Sequence, residues 1–320
     1  MDVAILGRHA YIANGYSGLS VIDISNPAHP TEVGFYDTSE HAWGVAVSGT
    51  YAYVANGDGG LRIIDVSNPA HPIEIGLYGA NALGVTVTEN YVYIAGGDGL
   101  RIIDITNPTN PREIGFYSAP CFQLEVSGAH VYAITGGTLD IIDITNPSDP
   151  RRIGFYEGLK GYGRRVAVWG SYVYVAVMYS NLWIIDVANP TQPTKVGHYT
   201  LGSGFNKVEV LGNYAYILGE PGRWLGALWG YKLYVADVTN PDRLNMTYAY
   251  DLWARDVALS EHYAYLAGSG SSLLVIDISN PALPIVGNAP TEGASVAVAV
   301  VQDYAYVASQ YAYPYLDTFL

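Results

Sequence analysis

Three groups of side chains in this sequence are of types that do chemistry. For proton transfer the candidates are His41, with Glu40 and Asp37 close by in sequence, and Tyr179. Imidazole titrates near neutral pH, so a histidine beside two acids has the make-up of a general acid or base; a solvated loop histidine is the plain alternative. The second group is cationic: Arg164, Arg165, Lys207 and Arg255. Guanidinium forks match a carboxylate or phosphate in two bonds, so these side chains would hold an anionic group, or would simply pair with Asp256 or Glu209. The third group is aromatic: Trp43, Phe122, Tyr179, Phe205, Trp224 and Trp229, joined by Tyr16, Tyr162, Trp253 and Tyr311. Rings gathered in loops suit flat apolar ligands or sugar faces.

Other chemistry is missing. The remaining histidines fall in Pro-flanked turns (His29, His71), before second strands (His9, His130, His262) or in a fourth strand (His198) and form no metal site, and Asp58 and Asp98 offer one carboxylate each, too few for a calcium loop. No phosphate loop, dinucleotide fingerprint or Gly-x-Ser-x-Gly elbow is present, so neither a metal nor a cofactor is expected. Acidic residues number 29 against 15 basic ones, a formal charge of −14, and the basic residues are scattered, which argues against nucleic acid and anionic membrane as partners. No apolar run reaches the roughly 18 residues of a membrane span. The single Cys121 leaves no internal disulfide.

The elements that must position these groups follow from a repeat. An apolar pair, Asp, two residues and then Asn-Pro recurs with aspartates at Asp23, Asp65, Asp104, Asp143, Asp186, Asp237 and Asp277, in steps of 42, 39, 39, 43, 51 and 40 residues. A period near forty filled with short apolar segments and turn residues predicts an all-β fold, a single β-propeller of eight blades, mostly of four antiparallel strands, with seven blades as the alternative. Eight tyrosines mark the second strand of each repeat: Tyr11, Tyr53, Tyr93, Tyr132, Tyr174, Tyr216, Tyr265 and Tyr306. The blades divide the one domain, 1–320, at about 1–40, 41–80, 81–119, 120–160, 161–203, 204–251, 252–290 and 291–320. The repeated Asp and Asn-Pro belong to the scaffold, since the carboxylate accepts from nearby backbone amides and Pro stops the third strand. The sequence opens directly on a first strand and ends near a weak third strand at Tyr315-Leu316-Asp317, so closure is expected by blade packing or by residues beyond this sequence.

The phrase Leu61-Arg62-Ile63-Ile64-Asp65-Val66-Ser67-Asn68-Pro69, repeated from Leu100 to Pro108, resembles the LVIVD repeat of bacterial and archaeal β-propellers. The resemblance covers essentially the whole chain. It implies the propeller and a frequent secreted or cell-surface setting, and it carries over no catalytic residues. No signal peptide is present; Met1 abuts the first strand, as it would after removal of a leader.

Function is therefore sought where the repeats disagree. In such a propeller the connections into each first strand and the turns between second and third strands share one face, around the channel mouth. The sixth such turn expands over 220–230 and carries Trp224 and Trp229, which suit a flap over a pocket or packing on their own blade. The uneven mouth predicts a binding module that recognises a protein, peptide, glycan or small organic ligand through Trp43, Phe122, Arg164, Arg165, Tyr179, Phe205, Lys207, Trp224, Trp229 and Arg255. The alternative is a cofactor-independent lyase, isomerase or cyclase at the same mouth, using His41, Glu40, Asp37 or Tyr179.

Overall fold

Short segments rich in Val, Ile, Tyr and Ala, each closed by Gly or by the Asn-Pro phrase, favour strands, and the computed structural model is built of strands alone among its described residues. It describes residues 2–310 apart from 27–30, 122, 160–162, 178–180, 201–204, 220–231, 244, 252–253, 269–271, 280–284, 292–293 and 302–303. Seven four-stranded antiparallel sheets follow in up-and-down order, then a two-stranded sheet of Ala294–Val301 and Tyr304–Gln310. Seven four-stranded blades are thus complete, the number held as the alternative. The eighth repeat contributes two strands among the described residues.

The first strands form the inner ring: Asp2–Leu6, Gly44–Ser48, Gly84–Val87, Gln123–Ser127, Gly163–Trp169, Phe205–Leu211, Ala254–Leu259 and Ala294–Val301. Each lies beside the next, and the last returns to Asp2–Leu6, so the toroid closes by packing of neighbouring blades. Across this seam Tyr306 Oη donates to the Ile24 carbonyl at 3.4 Å.

Blades stack face to face, so the middle strands bury both sides, which is why Leu61, Ile63 and Ile64 are all fully buried. Each apolar cluster spans two successive blades; that of blades 1 and 2 joins Tyr11, Leu19 and Val21 to Val45, Val54 and Ile64. Full burial of one such aliphatic side chain stabilises by about 2 kcal/mol.

The repeated aspartates act on the backbone, as their position after the third strand dictates. Asp65 Oδ1 accepts from Ser67 N at 2.8 Å, and Asp23, Asp104, Asp143, Asp186, Asp237 and Asp277 each accept from the amide two residues on. The Asn-Pro turn that follows is seated against the preceding blade. Gly34, Gly76, Gly115, Gly154 and Gly197 in the outer strands face the carbonyls of Pro69, Pro108, Pro147, Pro190 and Pro241, so close that a Cβ there would sit well inside the 3.0 Å that real Cβ atoms keep. Polar clamps reinforce three of these joints: Tyr36 donates to Glu74, Tyr78 to Glu113 and Tyr117 to Asp140, and each acid also takes an arginine of its own blade, Arg62, Arg101 or Arg152.

Candidate functional site at the channel mouth

Connections into first strands do meet the second-to-third-strand turns on one face. Gly15 bridges to Ala42 and Gly57 to Ala82, Cys121 N donates to Gly96 O at 3.1 Å, and Leu159 N donates to Gly137 O at 3.1 Å. The inner strands begin earlier than their alternation suggests, so Asp2, Arg165, Lys207 and Asp256 stand inside them.

Strand register then sorts the inner-strand residues into tiers. Opposite the tyrosine of each second strand stand Ala4, Ala46, Thr86, Glu125, Ala167, Glu209, Ala258 and Ala299. Six of these are small, and the two glutamates occupy blades 4 and 6. One tier nearer the mouth stand Asp2, Gly44, Gly84, Gln123, Arg165, Lys207, Asp256 and Ala297. Charge and side-chain length therefore concentrate on blades 4 to 7, while blades 2 and 3 present glycine.

The cationic group divides. Lys207 Nζ lies 2.5 Å from Asp256 Oδ1 and 3.4 Å from Glu209 Oε1. Burial works against its charge, yet these two carboxylates prevail and raise its pKa. Asp256 is shared further, since its carboxylate also accepts from Val257 N and from Val298 N in the next blade, each at 2.9 Å. Asp2 makes the matching bond to Val45 N at 3.2 Å. Lys207 thus makes the ion pairs with Asp256 and Glu209 weighed as the alternative to anion binding. Arg165 and Arg255 stay exposed at the mouth, with Arg165 Nη1 donating to the neutral Gln123 Oε1 at 3.3 Å. Arg164 lies on the Gly163–Trp169 strand and Phe205 on the Phe205–Leu211 strand. Phe122, Tyr179, Trp224 and Trp229 lie outside the described residues, as do Tyr162, Trp253 and Tyr311.

The aromatic group is assembled at blades 1 and 2. The His41 ring sits 4.9 Å from Tyr16, edge to face, and 4.3 Å from Trp43. Tyr16 is 79% and Trp43 49% exposed, so the platform faces solvent. Its loop is pinned by buried Thr38 and Asn56, joined by bonds of 2.7 Å, and Ser39 takes a left-handed φ of 65°. Burial holds the His41 pKa below its usual 6.5, and its Nδ1 is buried with no hydrogen-bond partner among the described residues. Asp37 spends its carboxylate on Ser39 N at 2.8 Å, Glu40 is exposed, and among the described residues no hydrogen bond joins either to His41.

Glu125 is the titratable group that motif reading passed over; its signal was a glutamate where the repeat places Ala opposite the strand tyrosine. It is exposed on the inner-ring strand Gln123–Ser127. Desolvation first, and then repulsion from Glu209, push its pKa up to about 7, against an attraction from Arg165. The sign for stability follows: the folded protein retains this proton between pH 4.5 and about 7 while the unfolded chain has lost it, so stability falls as pH rises through that window. Glu125→Gln is expected to flatten that fall, read from thermal unfolding at pH values across the window. Parallel curves for the two proteins would reject the placement of Glu125.

The LVIVD repeat family matches residues 1–38, 40–80, 79–119, 122–157, 160–201, 205–251 and 253–288. The chain belongs to the LVIVD repeat family. No curated protein matches it. Among solved structures, this LVIVD chain is similar to the computationally designed Ika8 protein at 11% identity and a TM-score of 0.76, over 96% of this chain and 92% of that one. It is similar to BamB from Moraxella catarrhalis at 15% identity and 0.66, over 96% and 92%, and to Saccharomyces cerevisiae Sqt1 at 8% and 0.76, over 92% and 85%. At these identities the likeness is one of fold. The LVIVD repeats account for the framework.

Proposed function

We propose that this LVIVD propeller is a binding module acting outside the cytoplasm, and that it takes a protein or peptide segment, or a glycan, at the channel mouth. The observation that carries this reading is the uneven mouth on an even scaffold. Equivalent tier positions hold Gly44 and Gly84 on one side and Gln123, Arg165 and Lys207 on the other, with Tyr16 and Trp43 exposed beside the glycines. A ligand that lays an apolar or ring face on Tyr16 and Trp43 and an acidic group near Arg165 and Arg255 fits that chemistry. The frequent surface setting of the family supports the location.

The test is selection from a displayed peptide library and from a glycan array, repeated with variants. Trp43→Ala and Arg165→Ala are each expected to weaken the selected binder about tenfold or more, equivalent to ~1.4 kcal/mol. Arg112→Ala, exposed on an outer strand, is expected to leave it unchanged. Binding that survives both mouth variants would reject the reading.

A further inference from the structure

The joint between blades 1 and 2 carries three rings at the mouth where the next joint is closed by hydrogen bonds. Gly15 and Gly57 hold equivalent places in the turns of blades 1 and 2, bridged to Ala42 and Ala82. Counted from those bridges, Tyr16, His41 and Trp43 stand where the next joint has Asp58, Asn81 and Leu83. There Asn81 Nδ2 donates to Asp58 Oδ1 at 2.8 Å, and Asn81 Oδ1 accepts from Gly97 N at 3.1 Å. A compact polar pair and a half-buried leucine are therefore enough to close a joint of this scaffold. The three rings exceed that need, and Tyr16 and Trp43 are exposed.

The surroundings of the rings are acidic. The Trp43 indole lies against Gly57, where a Cβ would sit 3.2 Å from Nε1, and the next residue of that turn is exposed Asp58. His41 follows exposed Glu40. Between Arg8 and Arg62 the chain has five acids and no lysine or arginine. Arg8 sits in the hairpin between the first two strands, at the end away from the mouth, and Arg62 pairs with Glu74. The lowered pKa of His41 leaves its ring uncharged at neutral pH. Electron-rich faces beside carboxylates attract a cation, and the chain's own outer strands show which one suits a ring. Arg101 Cζ lies 4.4 Å from the centroid of Phe116, and Arg152 Cζ lies 4.5 Å from that of Phe155. A guanidinium plane stacks on an aromatic face and is weakly hydrated, so little is lost when it leaves water.

We propose that the occupant of the mouth is a polypeptide segment with an arginine whose guanidinium lies on the Tyr16, His41 and Trp43 rings, beside Glu40 and Asp58. An acidic residue of the same segment lies near Arg165 and Arg255. This rests on the mouth being the binding surface and names which class of ligand it takes. Opposite charges on the two sides of the mouth fix the direction in which the segment lies. A neutral glycan would use the rings and neither set of charges.

The probe is an array of Gly-Ser peptides, each with one arginine and one glutamate at spacings up to about ten residues, roughly 35 Å when extended, titrated against the full chain. An arginine peptide is expected to bind at one per protein. Its citrulline counterpart, which keeps the shape and loses the charge, is expected to bind about tenfold more weakly. Trp43→Leu keeps the fold, because Leu83 fills the same place in the next joint, and it is expected to abolish the preference for arginine. Glu40→Gln is expected to reduce that preference, whereas Arg165→Ala is expected to weaken both peptides alike. Equal binding of the arginine and citrulline peptides, or a preference that survives Trp43→Leu, would overturn the proposal while leaving the mouth as the binding surface. So would a neutral glycan that binds through Trp43 when no peptide does. If neither peptide nor glycan binds, or if binding ignores both Trp43→Leu and Arg165→Ala, the mouth itself is rejected as the binding surface.

Discussion

Replacing Gly76 by alanine is expected to destabilise the protein by about 3 kcal/mol or more, among the larger effects a single methyl group produces. The added Cβ would drive into the Pro108 carbonyl of the next blade, a backbone atom held by the Asn107-Pro108 turn and by the bond from Asn110 N to Asn107 O at 3.0 Å. Neither side yields without moving a blade. Gly79→Ala is the internal control, because a Cβ at Gly79 meets nothing within 4 Å. Thermal unfolding is expected to separate the two by roughly 6 °C or more, since each kcal/mol shifts the midpoint of a chain this size by about 2 °C. Equal midpoints would mean that the blades do not stack as described. The same contact recurs at Gly34, Gly115, Gly154 and Gly197, so it is a rule of this scaffold.

Asp256→Ala is expected to cost about 2–4 kcal/mol, from loss of an acceptor for two backbone amides and from leaving Lys207 with the more distant Glu209. Only 14% of the Asp256 side chain and 18% of that of Lys207 are exposed, so water replaces the lost contacts poorly. Lys207→Met alone removes one charge and leaves Asp256 on its amides, and the smaller loss is expected there. A double-mutant cycle on denaturant unfolding is expected to give a coupling of about 1–3 kcal/mol. Additive losses would show that the pair is not formed. Because Asp256 links blades 6, 7 and 8, this variant is also expected to loosen Ala294–Val301 in amide exchange before the rest of the ring.

The framework was legible because its signals are local and repeated. The aspartate phrase, the strand tyrosines and the near-forty spacing each describe one blade, and seven four-stranded blades result. The function of Asp65 was legible for the same reason, since an Asx turn is decided within three residues. What depends on neighbouring blades was harder to read. Lys207 reads equally as an anion binder or an ion-pair partner in sequence, and its pair with Asp256 is a contact between adjoining inner strands that only the fold supplies. The His41 group shows the converse. Its acids are close in sequence, yet Asp37 bonds Ser39 N and Glu40 is exposed, and its ring neighbours are Tyr16 and Trp43, which the Gly15 to Ala42 bridge brings together. Glu125 is ordinary in sequence, and only its tier, between Thr86 and Ala167 and one blade removed from Glu209, makes it unusual. The clamps made by Tyr36, Tyr78 and Tyr117 likewise need two blades to be recognised.

The central claim is that the residues breaking the repeat at the channel mouth form the working surface. The most direct measurement is the amide-exchange footprint of the ligand selected on the intact protein. Protection is expected in residues 37–44 and at the start of the Gly163–Trp169 strand, with the outer strands Thr31–Tyr36 and Ile73–Tyr78 unaffected. Protection confined to those outer strands, with the mouth exchanging as in the free protein, would contradict it.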